Sequence, residues 1–345
     1  MVGYITDFGG VSMLTEKKAV SRYITYTDGI LKEIIKRHKE LDDSILVKQN
    51  HGLIMKDSVR NITKNSNMLN ETYLKTAALE GLFHDIGRFK KYLLSKTLDD
   101  NESKKYTGFD DHGKYGRYLL EKNDNKLLRY FLGQESNYDT MFLDIVGEHT
   151  TITNPNYLCD ISGLKDTFKD YSFDEIINSS NEELKNKLTA LKLKILREAD
   201  SLEIFDKIIN GLWKPTISND EEKFVNTEIW EKFINFEYID MKDLKERGLW
   251  TANAGFLLRY GLLFQNFNLV GTLKKFIESD SFEKLWKQTE ENSIKTNGSK
   301  VQDSKVIEAQ DYIKKAIECL ISESDGILID DDTRKRAKEK IKTLK

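Results

Sequence analysis

The chain has 345 residues, with 54 Lys and Arg against 57 Asp and Glu, five His, two Cys and two Pro, for a formal net charge of -3. That length suits one large domain or two modest ones with ample chain to bury a core, and the near-balanced charge excludes a strongly basic protein that coats nucleic acid. Cys159 and Cys319 lie too far apart for a Cys-rich zinc site and are too few for a disulfide framework, which fits a reducing compartment, the cytoplasm.

In chain order, the opening MVGYITDFGG carries no basic stretch ahead of an apolar run, so no signal peptide is expected. Ile30, Leu31, Ile34, Ile35, His38 and Leu41 recur at helical spacing. A second helix is predicted from about His51 to Met68, and a third, apolar on most of its circumference, over YLKTAALEGLFHDIGRF with Gly87 as its stop. The polar run 95–111 reads as a loop, DHGKYGRYLLEK as a helix, and MFLDIVGEHTT as another that ends near His149. An aperiodic excursion is expected over 154–186, then a strong helix through Leu191, Ile195, Ala199, Leu202, Phe205 and Ile209, broken by Gly211 and Pro215. Residues 225–290 carry further helix-like pattern rich in Trp and Phe, and Trp213, Trp250 and Trp286 read as packing residues. The most apolar segment, 256–264, is short and interrupted by Arg259, so no membrane span is expected. A loop over 291–305, an amphipathic helix over 306–320 and a basic tail over 333–345, read as a solvated helix end, complete the chain. Two prolines among abundant Lys, Glu, Leu and Ile predict an all-α fold.

The chemistry sits in the histidines. His84 and Asp85 are adjacent at the end of a helix too apolar for a surface, and neighbouring helical positions converge on one point only near an axis end or between packed helices. A metal ion there would take one imidazole and one carboxylate, a donor set that suits Zn, Fe, Mn, Co or Ni. Asp200 interrupts an apolar stripe between Leu196 and Ile204, where a lone carboxylate costs several kcal/mol unless a cation faces it. With His51, 33 residues before His84, these residues form a four-ligand site from three helices. His38, on the apolar face of its own helix, reads as packing.

The order His51, then GLFHDIGRF with His84 and Asp85, then READSLEIFD with Asp200 resembles the HD-domain superfamily of metal-dependent phosphohydrolases. DDHGKYGRYLLEK and FLLRYGLLFQNFNLVGTLKKF are similar to segments of a bacterial branch of those proteins that contains HDIGRF. The resemblance implies an N-terminal extension over 1–24, an all-helical catalytic core over 25–215 and a C-terminal helical region over 216–345. It also places His112 and His149 where two-metal members carry additional histidines, which makes Asp85 the bridge and the metal set His51, His84, Asp85, His112, His149 and Asp200. Two ions roughly 3.5–4 Å apart lower the pKa of a water held between them toward neutrality. Arg88 would add a bidentate phosphate contact, with Lys114 and Arg117 as further substrate cations. With a single ion, His112 or His149 would protonate the leaving group.

The implied activity is hydrolysis of a phosphoester or phosphoanhydride, with a nucleotide as substrate and one or two divalent ions (Mn, Fe, Co, Ni or Zn, with Mg as an alternative) as cofactor. Neither a membrane nor nucleic acid is an expected partner. Two alternatives stay open: a di-iron oxygenase of the same superfamily acting on a small organic substrate, and a catalytically silent ligand sensor. Members that cleave cyclic dinucleotides carry a Gly-Tyr-Pro motif that this chain lacks.

Overall fold

A computed structural model of the chain describes residues 14–65, 70–150 and 171–209, together with 335, 336 and 339. The chain divides into two compact units, Met1–Asp200 and Ser201–Lys345, and the candidate site belongs wholly to the first. The sequence expectations for 1–13, 151–170, Gly211, Pro215, the tryptophans after 210 and nearly all of the C-terminal region lie outside the described residues.

Among the described residues the fold is helical, with no strand. Helix α1 runs Glu16–His38, α2 Asp43–Asn65, α3 Glu71–Phe83, α4 Ile86–Ser95, α5 Asp100–Thr107, α6 His112–Leu132, α7 Tyr138–Glu148, α8 Phe173–Asn178 and α9 Glu182–Ile209. No helix of the described residues is long and apolar enough to cross a membrane. Helix α1 starts well before the expected run at Ile30, because Ala19, Tyr23 and Thr27 prolong the stripe formed by Ile30, Leu31 and Ile34. Helix α2 likewise starts at Asp43, so His51 lies in its interior. There it heads a buried column with Met55, Val59 and Ile62 at three- and four-residue steps.

Helix α3 is the centre of the unit. Every residue from Thr76 to Phe83 is buried, as are Tyr73 and Leu74, so the helix needs neighbours on all sides. It packs against α1, α2 and α7, while α4 packs against α1, α5 and α6. Aromatic rings fill the space between these helices. Phe83 lies tilted against Phe131 with centroids 4.4 Å apart and meets Tyr23 and Phe142 edge-on.

Gly87 does not stop a helix. It lies in the first turn of α4, where a Cβ would collide with the His112 carbonyl oxygen and the Gly116 amide nitrogen. Its role is to let α4 and α6 approach closely. The 95–111 run is not all loop, because Asp99 caps α5 by accepting from the Glu102 amide and Gly108 ends it with φ 77°. Helix α6 is interrupted where Lys122 becomes extended and Asn123, Asp124 and Asn125 take left-handed angles, a conformation that Asn and Asp tolerate better than most residues. The excursion expected over 154–186 becomes regular at its end, where Ser172 and Glu175 form a reciprocal capping box that starts α8. His38 closes α1 onto α4, its Nε2 lying 3.0 Å from the Leu93 carbonyl oxygen.

Candidate metal centre

Four of the six expected ligands stand at helix ends, where backbone groups left over by the helix orient them. His84 is the C-terminal cap of α3, and its Nδ1 lies 2.8 Å from the Gly81 carbonyl oxygen. His149 repeats this at the end of α7, with Nδ1 2.8 Å from the Val146 carbonyl oxygen. Carbonyls only accept, so both Nδ1 atoms carry a hydrogen, and Nε2 is the nitrogen each ring turns toward the site. Asp85 begins α4 without capping it, which leaves both carboxylate oxygens for the site. His112 is the first residue of α6, fixed by Asp111, whose carboxylate accepts from the Gly113 and Lys114 amides at 2.6 and 3.1 Å. His51 comes from the interior of α2 and Asp200 from α9.

All six side chains come together around Asp85. Its Oδ2 lies 3.7 Å from His51 Nε2 and 3.8 Å from His84 Nε2. Its Oδ1 lies 3.0 Å from His112 Nε2 and 3.7 Å from His149 Nε2. The two histidines of each half point at one another, with Nε2 atoms 3.1 Å apart for His51 and His84 and 3.2 Å apart for His112 and His149. Asp200 Oδ1 joins the first half, 3.2 Å from His51 Nε2. The donor atoms of His51, His84 and Asp85, and those of Asp85, His112 and His149, each form a group within 4.8 Å.

The donor chemistry fits a cation. His112 Nδ1 donates to Asp100 Oδ2 at 2.8 Å, which leaves Nε2 of His112 facing Nε2 of His149 and Oδ1 of Asp85. Two ring nitrogens this close to each other and to a carboxylate call for positive charge among them, from a proton or a metal ion. The histidines, Asp85 and the apolar residues around them are nearly excluded from solvent, and Asp200 is half-buried. Burial and the neighbouring imidazoles of His51 and His149 push the His84 ring down to about 3 against the pull of Asp85, which leaves it neutral, as a metal ligand must be. Burial alone would raise Asp85, yet Arg88, Lys48, His84 and His112 hold its carboxyl well below the usual range. Asp200 is treated alike: burial works upward, but the His51 hydrogen bond and the Lys48 ammonium hold it low.

Two residues at the site carry no signal in the sequence reading. Asp100, from the run taken as loop, orients His112 and is itself held by the buried Lys91, with Nζ 2.7 Å from Oδ1. Such a carboxylate behind a ligating imidazole fixes its orientation and raises its basicity. The cue available was a capping aspartate at 99 followed by the acidic first turn of α5. Lys48, one turn before His51 on α2, places Nζ 2.9 Å from Asp85 Oδ2.

Among the expected substrate cations, Arg88 points into the site, with Nε donating to Asp85 Oδ1 at 2.9 Å and NH1 to the Leu98 carbonyl at 3.3 Å. Lys114 and Arg117 are directed elsewhere than expected. Lys114 is largely exposed and reaches Asp110 at 3.8 Å, and Arg117 bonds Asp144 at 2.6 Å and Glu121 at 3.0 Å. Glu121 lies one turn along α6 and Asp144 on the packed face of α7, so local carboxylates meet Arg117 before a ligand does.

An all-helical scaffold that gathers four imidazoles and two carboxylates into two halves sharing one buried aspartate belongs to the class of domains built to hold metal ions. Residues 59–204 match the family described as HD domain, and this stretch of the chain is an HD domain. Five of the six residues fall inside the match, and His51 lies just ahead of it. HD domains form a superfamily that consists in general of metal-dependent hydrolases. No curated protein and no solved structure matches the chain.

Proposed function

We propose that this chain is a metal-dependent phosphohydrolase that cleaves a phosphoester or phosphoanhydride, and that all six ligands serve two divalent ions with Asp85 as the bridge. The observation that carries the reading is the division of labour at Asp85, whose two oxygens each face a separate pair of imidazoles. Bound ions would supply Lewis acidity there, lowering the pKa of a water and neutralising charge on the phosphoryl oxygens.

The remaining work falls to the chain itself. His51, His84 and Asp200 define one half of the site, and His112 and His149 the other. Arg88, bonded to Asp85 and to the Leu98 carbonyl, is preset to orient a phosphoryl group through its fork of donors. His112, backed by Asp100, is built to hold a proton at Nε2 for the leaving oxygen whenever its own half carries no ion, since Asp100 stabilises the imidazolium that results. The apolar wall around α3 keeps bulk water away and strengthens each of these interactions. A nucleotide is the preferred substrate because of the superfamily resemblance, which is a warrant by analogy.

The test is turnover by protein loaded in turn with Mn, Fe, Co, Ni, Zn and Mg, against nucleotides and general phosphomonoesters and phosphodiesters. Hydrolysis that disappears in Asp85→Ala supports the reading, and binding without turnover by every loaded form refutes it. The imidazole-rich donor set, four rings to two carboxylates, also suits a pair of irons. A mixed-valent di-iron magnetic resonance signal together with dioxygen-dependent turnover would assign the site to an oxygenase instead.

A further inference from the structure

Two side-chain cations flank the shared carboxylate, and they divide between its halves. Lys48 Nζ is 2.9 Å from Asp85 Oδ2, the oxygen that faces His51 and His84, and its charge also lowers Asp200. Arg88 Nε is 2.9 Å from Oδ1, the oxygen that faces His112 and His149. Asp85 thus meets one side-chain cation at each of its two oxygens.

We propose that Lys48 is a substrate-binding residue held in reserve: it holds Asp85 until a divalent ion takes that carboxylate, and then turns its ammonium onto the phosphoryl group of the substrate. The inference rests on the proposed phosphohydrolase reading and adds to it a residue and a sequence of events. Three observations support it.

The first is competition. Oδ2 is the oxygen through which Asp85 would serve the half formed by His51, His84 and Asp200, and an ammonium 2.9 Å away is a rival for it. Two cations on one oxygen repel strongly inside a protein, so the more mobile one yields. The second is mobility. Arg88 is tied also to the Leu98 carbonyl, whereas Lys48 ends in a rotatable ammonium on a flexible stem and is about a fifth exposed. It can leave Asp85 without opening the core. The third is charge. Each divalent ion brings two positive charges to a site that already holds Lys48 and Arg88, an excess that an anionic phosphoryl group lying between these two side chains would meet. Lys48 is three residues before His51 on α2, so helical geometry keeps it over the same half of the site wherever its side chain swings.

Titration calorimetry on the full chain with Mn²⁺, followed by inorganic phosphate added to the Mn²⁺-loaded protein, tests this without reference to turnover. Lys48→Met should bind Mn²⁺ about three- to tenfold more tightly, since a partly exposed ion pair that competes with the ion has gone. The same variant should bind phosphate about tenfold or more weakly, the usual loss for one charge-assisted hydrogen bond. Lys48→Arg should restore phosphate binding, and Lys56→Met, on the same helix but paired with Glu16 and Asp57, should change neither quantity. Lys48→Met with wild-type affinity for both Mn²⁺ and phosphate would overturn the inference while leaving the metal site standing. A wild-type chain that binds no Mn²⁺ would overturn it together with the reading on which it rests.

Discussion

Lys192 supplies the sharpest stability prediction. Its ammonium lies 2.8 Å from Glu80 Oε1 and 2.8 Å from Thr76 Oγ1, and Glu80 Oε1 also accepts from the Tyr138 hydroxyl at 2.6 Å. Glu80 and Lys192 are 1% and 2% exposed, so neither salt nor water screens them. Burial pushes the Glu80 carboxyl up and the Lys192 ammonium down from their ordinary values, opposed in each case by the partner's charge. Lys192→Met leaves Glu80 as a buried carboxylate with only Tyr138 to meet it, a defect that costs about 3–5 kcal/mol. For a cooperative unit of about 200 residues that is a fall in Tm of roughly 6–20 °C.

The sign of the pH dependence follows from the direction of the shift. A carboxyl whose folded pKa is raised contributes stability that is present at low pH and lost as pH climbs through the folded value. In Lys192→Met the gap to wild type should therefore narrow as the pH is lowered from neutral, because the folded chain keeps Glu80 protonated. Glu80→Gln combined with Lys192→Met should recover most of the loss, since replacing both members of a buried pair is often neutral or stabilising. Urea denaturation of the wild type, the single variant and the double variant at several pH values is the assay. A single variant within about 1 kcal/mol of wild type, or a gap that widens on acidification, would refute the reasoning.

Two further outcomes are expected. Asp100→Ala should weaken the second ion's binding by about 10–100-fold while sparing the first, as loss of a carboxylate behind a ligating histidine does, and stepwise calorimetric titration reads the two events separately. Gly87→Val should lower stability by at least about 1–3 kcal/mol, because its side chain meets the backbone of α6 with nothing soft to yield; a variant as stable as wild type in urea would show that α4 can draw away from α6 freely.

The helices that carry the site were legible because burial imposes a period on the sequence. The stripe of α1, the apolar girth of α3 and the run into His149 all predict what the structure shows, and the order of His51, His84, Asp85 and Asp200 already suggested one centre. What escaped notice was set by contacts between segments distant in sequence. Gly87 looks like a stop until α6 lies across it. Asp100 sits in a short helix that buries only Ser103, too little to give an apolar pattern. Lys48 resembles any surface lysine of an amphipathic helix until Asp85, 37 residues later, arrives beneath it. Arg117 shows the reverse error: its place after His112 suggested a ligand contact, but Glu121 and Asp144 claim its donors.

If Asp85 joins two metal sites, its removal must cost the protein both ions. Metal content by mass spectrometry and Mn²⁺ binding by calorimetry should give two ions for each wild-type chain, one ion for His112→Ala or His51→Ala, and tight binding of neither ion for Asp85→Ala. Loss of only one ion from Asp85→Ala, or no metal in the wild-type chain under any loading, would contradict it.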